Sequence, residues 1–332
     1  MTIENLLSNP TYKEKFVLQK VICYFLDYTK EEMWINANQE VSAEQEEKIL
    51  STYHDVADNN KPLEYALWFV EFFKRKFHVN SNTLIPRPET EYMITAVTEE
   101  IDGIRQQEWE TGELAICKLD DNKIWDSTSC NILLDIGTGC GVLGISVLLQ
   151  NPCFFKQAIF TDISEKALAV AQQNYEIQIK DHDFPVEFIK SDLLDFIEEK
   201  KAKIAACRII LVGNLPYIPE KTFEENAADN VKKREPKMAF VWGDDWLIYY
   251  RRMLDQIINI VESQKSIRSI KPALETSRSD EWPSTWWTLF LEMMTRQTDI
   301  LRQEYQDHFN FEDVKTFHFN IRIVKTTLKT SS

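Results

Sequence analysis

The sequence predicts an α/β fold in which a mostly parallel sheet follows a small helical domain. From about residue 84, short β-branched runs alternate with helical segments, as they do in βαβ units. Four of the eight glycines fall in one short window directly after an apolar run. Two strand-like segments then lie almost back to back near the end of the sequence, which predicts an antiparallel hairpin at one edge of the sheet.

The first domain is expected to span residues 1–74, which have helical periodicity and few turn signals. Ser42 and Gln45 have the spacing of a capping box at a helix start, and a further helix is predicted over residues 62–73. Residues 75–83 are expected to form a hairpin linker. We interpret this first domain as a helical unit that recognises a substrate, with a purely structural extension as the alternative.

The second domain is predicted over residues 84–330. Its parallel strands are expected at 132–136, 158–162, 186–191 and 208–213, and its clearest helices at 164–175 and 246–261. A strand at 288–294, a helix at 298–308 and strands at 311–319 and 321–327 are expected to complete it. Two polar, tryptophan-containing stretches, 104–130 and 263–287, fit neither pattern, and we interpret them as insertions or long loops.

Composition narrows the possible functions. The formal net charge of −15 argues against sequence-independent binding to nucleic acid, which needs lysine and arginine to neutralise phosphates. No apolar run reaches the roughly 18 residues that a membrane span needs, and no secretory signal is visible. The six cysteines contain no CxxC pair, so we expect reduced thiols in a cytoplasmic protein. The histidine spacing predicts no metal site and the sequence no membrane partner.

A candidate cofactor site follows the apolar run 132–134. There the chain reads Asp135-Ile136-Gly137-Thr138-Gly139-Cys140-Gly141 and then continues as a helix. A strand, a glycine loop (residues 137–141) and a helix start form the layout of a nucleotide-type cofactor site. Residues 139–144 also satisfy GxGxxG, so a nicotinamide-dependent dehydrogenase is one candidate. Asp135 instead favours a cationic or amine-bearing ligand over a pyrophosphate.

The next two strands also end in acidic residues, Asp162 and Asp192. A carboxylate at the first position can accept hydrogen bonds from both hydroxyls of a ribose, and the adenine edge is expected beside the second. Together with the glycine loop, these residues resemble the S-adenosylmethionine site of the Rossmann-like class I methyltransferases. The resemblance implies this cofactor and the following contacts: Asp135, Gly137, Thr138, Gly139, Cys140, Gly141, Asp162, Asp192, Leu193 and Asn214.

The fourth strand is followed by an acceptor loop, Asn214-Leu215-Pro216-Tyr217. It resembles the Asn/Asp-Pro-Pro-Tyr/Phe motif of methyltransferases that act on a nitrogen conjugated to a π system, with Leu215 in place of the first proline. Such a nitrogen is a poor nucleophile because its lone pair is delocalised. The Asn214 side-chain oxygen and the Leu215 carbonyl could each accept one N–H, and Tyr217 could stack on the planar group. Asn214, Pro216 and Tyr217 are therefore the predicted catalytic residues.

A signature loop narrows the choice of acceptor. Its sequence, Asn82-Thr83-Leu84-Ile85-Pro86-Arg87-Pro88-Glu89-Thr90-Glu91, resembles the signature of the HemK/PrmC family, and the resemblance covers most of the chain. The family methylates the glutamine side chain of the Gly-Gly-Gln motif in peptide-chain release factors. The resemblance implies that activity, a release factor as partner, and a substrate site built from Asn214, Leu215, Pro216, Tyr217, Arg87 and Pro88.

Three other interpretations stay open at this stage. An N6-adenine methyltransferase acting on RNA or DNA is the main alternative, because Asn-Leu-Pro-Tyr also resembles ribosomal-RNA adenine dimethyltransferases. The net charge of −15 counts against it. A catalytically silent scaffold would not need Asp135, Asp162 and Asn214, and a nicotinamide-dependent dehydrogenase does not explain the acceptor loop.

Overall fold

The computed structural model describes residues 1–111, 114–119, 122–127, 130–179, 184–204, 207–241, 245–270, 287–314 and 321–329. Five helices build the first part of the chain, and they share a buried apolar cluster that includes Leu18, Ile22 and Ile49. Their bounds are Ile3–Ser8 (α1), Lys15–Leu26 (α2), Lys30–Ile35 (α3), Ala43–Ala57 (α4) and Leu63–Leu67 (α5). Ser42 and Gln45 cap α4 reciprocally, which confirms the predicted capping box.

An antiparallel hairpin follows α5 directly. Its strands are Phe69–Phe72 (β1) and Arg75–His78 (β2). The helix predicted over 62–73 is therefore wrong beyond its first turn, and the hairpin begins earlier than the predicted linker. Trp68 ends α5 with a φ of 62°, a left-handed conformation that usually selects glycine, and its ring stacks on His78 with centroids 5.9 Å apart. Because Trp68 is neither glycine nor asparagine, the sequence carries no stop signal there.

The second part of the chain is built around a seven-stranded sheet. Its elements are Glu91–Thr111 (α6), Leu114–Leu119 (β3), Asn122–Ser127 (β4), Asn131–Ile136 (β5), Val142–Gln150 (α7), Gln157–Asp162 (β6), Glu165–Gln178 (α8), Val186–Lys190 (β7), Ile197–Ile204 (α9), Arg208–Gly213 (β8), Glu220–Asn226 (α10), Asp229–Arg234 (α11), Ile248–Ile270 (α12), Trp287–Met294 (β9), Thr295–Glu304 (α13), Phe309–Val314 (β10) and Ile321–Leu328 (β11).

The strand order is β7-β6-β5-β8-β9-β11-β10. The first five strands are parallel, and β11 pairs antiparallel with both β9 and β10. This topology confirms the predicted Rossmann-like sheet with an antiparallel hairpin at one edge. Two large buried apolar clusters, one containing Phe160 and the other Leu211, pack against the sheet. Among the described residues, no helix combines the length and the apolar content that a membrane span requires.

The stretches interpreted as insertions are partly regular structure. Residues 104–111 belong to α6, and β3 and β4 pair as a separate antiparallel hairpin, so a long loop over 104–130 is wrong. Likewise α12 continues to Ile270. Residues 271–286 and the predicted strand end at 315–319 lie outside the described residues. The ends of α6 and α12 escape detection because they are polar and lack a sustained apolar repeat.

The expectation of six reduced thiols is also wrong. Cys130 and Cys207 form a disulfide with their Cα atoms 4.6 Å apart. They directly precede β5 and β8, whose parallel register sets Asn131 beside Arg208, so the two cysteines become neighbours across the strand pair. Their sequence separation of 77 residues hides this proximity until the sheet order is known.

Gly144 and Gly103 give a matched pair of helix substitutions. A Cβ at Gly144 in α7 would lie 2.4 Å from Phe160 Cε1 and 2.8 Å from Asp135 Oδ2, whereas one at the exposed Gly103 in α6 meets nothing within 4 Å. We expect Gly144→Ala to lower the free energy of unfolding by about 1–3 kcal/mol through overpacking. Gly103→Ala should raise it by about 0.5–1 kcal/mol. Urea unfolding measures the free energy of unfolding of both variants. A Gly144→Ala variant as stable as the wild type would contradict the packing argument.

Candidate active site

The buried carboxylate of Asp135, near the end of β5, holds the glycine loop and the first turn of α7. Its Oδ2 atom accepts hydrogen bonds from the Thr138 hydroxyl at 2.6 Å and from the Gly144 N–H at 2.9 Å. Gly139, within the loop, has a φ of 56° and open space where a Cβ would lie, so a ligand can approach the backbone there. Burial raises the pKa of Asp135 to about 6, and these two hydrogen bonds only partly offset that effect.

Two further acidic residues lie at the ends of β6 and β7. Asp162 accepts from the Gly139 N–H at 3.0 Å and from the Ser164 N–H at 2.9 Å, which fixes its carboxylate beside the glycine loop. Burial raises its pKa, against these hydrogen bonds. Asp192 pairs with Arg252 at 2.8 Å. The next residue, Leu193, has a φ of 52°, and such backbone strain concentrates at ligand sites.

The acceptor loop leaves the carboxyl end of β8 and is tied down by hydrogen bonds from buried side chains. The Tyr250 hydroxyl shares its one hydrogen between the Leu215 carbonyl, at 3.1 Å, and the Glu292 carbonyl. The Gln297 side chain donates to the Tyr217 carbonyl at 3.0 Å. The Tyr217 hydroxyl donates to Glu292 Oε1 at 3.1 Å. Asn214 Nδ2 donates to the Thr90 hydroxyl oxygen at 3.3 Å, which connects this loop to the signature loop.

The signature loop is clamped by a residue from the segment after α11. The buried Glu235 carboxylate accepts from the Arg87 guanidinium at 2.7 Å and from the Ile85 N–H at 3.0 Å. The Arg87 guanidinium also lies over the Phe240 ring, 5.8 Å from its centroid. Arg87 therefore joins two segments that both border the site.

One cavity lies between the glycine, acceptor and signature loops. Most of the predicted site residues line it: Gly137, Thr138, Gly139, Cys140, Asp162, Asp192, Leu193, Asn214, Leu215 and Pro216. Asp135, Gly141 and Tyr217 are not among the residues that line it. Arg87 and Pro88 line a second cavity, which is bordered by α2 and the β1–β2 hairpin and shares Pro86 with the first.

Sequence reasoning missed the supporting residues Thr90, Glu235, Tyr250 and Glu292. Thr90 belongs to the signature loop, but its hydrogen bond with Asn214 is not visible in the sequence. A role for each emerges only when distant segments meet, because the partners lie on different strands and loops. For Glu292, the signal is a charged residue within the otherwise apolar strand β9. Thr90 and Glu235 lie in polar segments and give no such signal.

Comparisons with known proteins show which proteins this chain resembles. A family model described as the methyltransferase small domain matches residues 118–245. A release factor glutamine methyltransferase of Bacillus anthracis is 30% identical over 244 residues, which cover 74% of this chain and 75% of that protein. Its counterpart from Lactococcus lactis is 32% identical over 227 residues, covering 68% and 69%. The N-terminal domain of human METTL16 in complex with SAH aligns with a TM-score of 0.46 at 13% identity, covering 96% and 97%.

Three features together define a Rossmann-like class I methyltransferase. They are the strand order, the glycine loop with acidic residues at the next two strand ends, and the acceptor loop at the same edge of the sheet. The sequence identity to the two release factor glutamine methyltransferases, and the share of each chain that is covered, define the family as well. The chain belongs to the release factor glutamine methyltransferase family.

The buried Asp135 predicts a pH dependence of stability. With a pKa near 3.8 when unfolded and about 6 when folded, it retains a proton in the folded state that the unfolded chain has released. Through this group, the free energy of unfolding is therefore highest below pH 4 and falls as the pH rises to about 6. Asp135→Asn keeps an oxygen for both donors but does not titrate. We therefore expect the free energy of unfolding of this variant to fall less steeply between pH 4 and about 6 than that of the wild type. Urea unfolding at several pH values in this range measures the free energy of unfolding of the wild type and the variant. If the two depend on pH in the same way, Asp135 is not the group responsible.

Proposed function

We propose that this protein transfers a methyl group from S-adenosylmethionine to the side-chain amide nitrogen, N5, of the glutamine in the Gly-Gly-Gln motif of peptide-chain release factors. The observation that carries this proposal is a shared cavity. Asn214 and Leu215, which offer two hydrogen-bond acceptors, line the same cavity as the glycine loop and Asp162. Membership of the family supports the choice of a glutamine amide as the acceptor.

The residues around the cavity suit this cofactor. We assign the ribose hydroxyls to Asp162, whose oxygens keep free lone pairs beyond their two backbone hydrogen bonds. The open face at Gly139 suits close approach of the ligand, and Asp192 with Leu193 borders the adenine side. Asp135 contributes indirectly by shaping the glycine loop. Bound S-adenosylmethionine supplies a strongly electrophilic methyl group, so no general base is needed before transfer.

The acceptor loop is proposed to orient the glutamine amide. Its two N–H groups need two acceptors, and these are Asn214 Oδ1 and the Leu215 carbonyl. The Leu215 carbonyl already accepts from Tyr250, but a carbonyl oxygen has a second lone pair for the substrate. Fixing the nitrogen in this way aims its lone pair at the methyl group. Tyr217 directly follows Pro216, which lines the cavity, and its ring face is assigned to the planar amide, while its hydroxyl is engaged by Glu292.

Recognition of a folded partner is assigned to the helical domain. We propose that residues 1–74 contact the release factor while residues 84–330 perform the chemistry. The second cavity, between α2, the hairpin and Arg87, lies next to the first and offers a route for the segment that carries the glutamine. Peptide-chain release takes place on ribosomes, so we place the activity in the cytoplasm.

Methyl transfer tests the proposal directly. Purified protein is incubated with radiolabelled S-adenosylmethionine and, separately, a release factor, ribosomal RNA or DNA. We expect label in the release factor that disappears when its Gly-Gly-Gln glutamine is replaced by alanine. Asn214→Ala should lower kcat about 100-fold or more because the amide loses its orienting acceptor. Asn310→Ala, on the exposed edge strand β10, is the matched control.

Two outcomes of these assays would contradict the proposal. Label in nucleic acid alone would favour the N6-adenine methyltransferase instead. Near-normal turnover by Asn214→Ala would show that the acceptor loop is wrongly assigned, even if the release factor is the substrate.

Asp162→Asn tests the ribose assignment separately. The variant keeps one acceptor oxygen but loses the charge, so we expect the Kd for S-adenosylhomocysteine to rise about tenfold or more. Isothermal titration calorimetry measures this, with the exposed Asp299→Asn in α13 as control. A Kd equal to that of the control would remove Asp162 from the cofactor site.

A further inference from the structure

A buried carboxylate lies directly behind the acceptor loop. Glu292, near the end of β9, is 1% exposed. Its Oε1 accepts from the Tyr217 hydroxyl, but its Oε2 is buried and has no hydrogen-bond partner among the described residues. Burial raises the pKa of Glu292, and the side chains of Thr90, Tyr217 and Asn214 act in the opposite direction by stabilising the charged form.

A purely structural role explains Glu292 poorly. An unpaired buried carboxylate oxygen costs free energy that an apolar residue of similar size would avoid. The neighbouring contact of the Tyr250 hydroxyl goes to the backbone carbonyl of Glu292 and would survive a change of side chain. Glu108 also has a buried Oε2 without a hydrogen-bond partner among the described residues, but it lies at the opposite end of β8. Glu292 differs from it in lying beside Thr90, Tyr217 and Asn214 of the candidate site.

An explanation for Glu292 lies in the orientation of Asn214. An amide group has one donor end and one acceptor end. Asn214 Nδ2 donates to Thr90 Oγ1 at 3.3 Å, and the Asn214 side chain also stabilises the charged form of Glu292. With its nitrogen turned toward Thr90, Asn214 offers its oxygen to the cavity, which both residues line. The reverse orientation would set an N–H against the N–H of a substrate amide.

We propose that Glu292 is a positioning residue which, together with Thr90, holds the Asn214 amide with its oxygen facing the substrate. This inference rests on the proposed function, because it concerns the acceptor site of that reaction. Glu292 touches neither substrate nor cofactor, since Thr90 and Asn214 line the cavity and separate it from Glu292. In Glu292→Gln, a donor replaces one carboxylate oxygen and the negative charge is removed, so the preference of Asn214 for a single orientation is weakened.

Kinetics test this role. We expect Glu292→Gln and Thr90→Val to lower kcat about 10- to 100-fold, with KM and the Kd for S-adenosylhomocysteine changed by less than about twofold. Thr90→Ser, which keeps the hydroxyl, should retain more activity than Thr90→Val. The double variant should lose little more than the stronger single one, because both changes act through Asn214.

Glu108→Gln is the matched control. Glu108 is also a buried carboxylate, 3% exposed, and pairs with Arg208 at the opposite end of β8. Any loss of stability from removing a buried charge should affect it similarly, without a specific effect on kcat. If Glu292→Gln has a kcat equal to that of Glu108→Gln, or loses cofactor affinity in proportion to kcat, the proposal is overturned.

A second measurement does not depend on activity. The side-chain amide resonances of Asn214, identified in ¹⁵N-labelled protein by their absence in Asn214→Asp, report its hydrogen bonding. We expect them to shift in Glu292→Gln and to stay in place in Glu108→Gln. Unchanged resonances in Glu292→Gln would refute the positioning role. If the wild type fails to methylate a release factor, the proposed function fails while this signal still decides the role of Glu292.

Discussion

The parallel pairing of β5 with β8 is the constraint on which the site depends. Its register sets Ile136 opposite Gly213, so the residues that follow, Gly137 and Asn214, leave the sheet side by side. Both strands are buried on both faces, and a one-residue slip would exchange the side chains that pack in the two apolar clusters. The distance between the glycine loop and the acceptor loop is thus fixed by the core and not by the loops themselves.

Leu215 shows how tertiary contacts replace a local constraint. A proline at this position would limit the backbone by its ring. Here the acceptor loop is held instead by the Tyr250 hydroxyl on the Leu215 carbonyl and by the Gln297 side chain on the Tyr217 carbonyl. The Leu215 side chain is buried, and its Cδ2 would lie 3.0 Å from a Cβ at Gly137. The leucine therefore fills space beneath the glycine loop while buried donors restrain the backbone.

The sequence was most informative where a local pattern had a local cause. Apolar runs predicted β5, β6 and β8, and the capping box predicted the start of α4, because each depends on neighbouring residues. Prediction failed where distant segments decide the structure. The left-handed Trp68 is stabilised by stacking on His78, and Glu235 meets Arg87 across 148 residues. Glu292 looks like one polar residue in a strand until folding brings Asn214 and Thr90 close to it.

The Cys130–Cys207 disulfide has a topological consequence. It closes a covalent ring that begins before β5 and ends before β8, and so encloses the glycine loop and the acidic residues at the ends of β6 and β7. The acceptor loop lies just outside this ring. While the bond is intact, a single backbone break between the two cysteines leaves both halves of the cofactor-binding region tethered to the strand that carries Asn214.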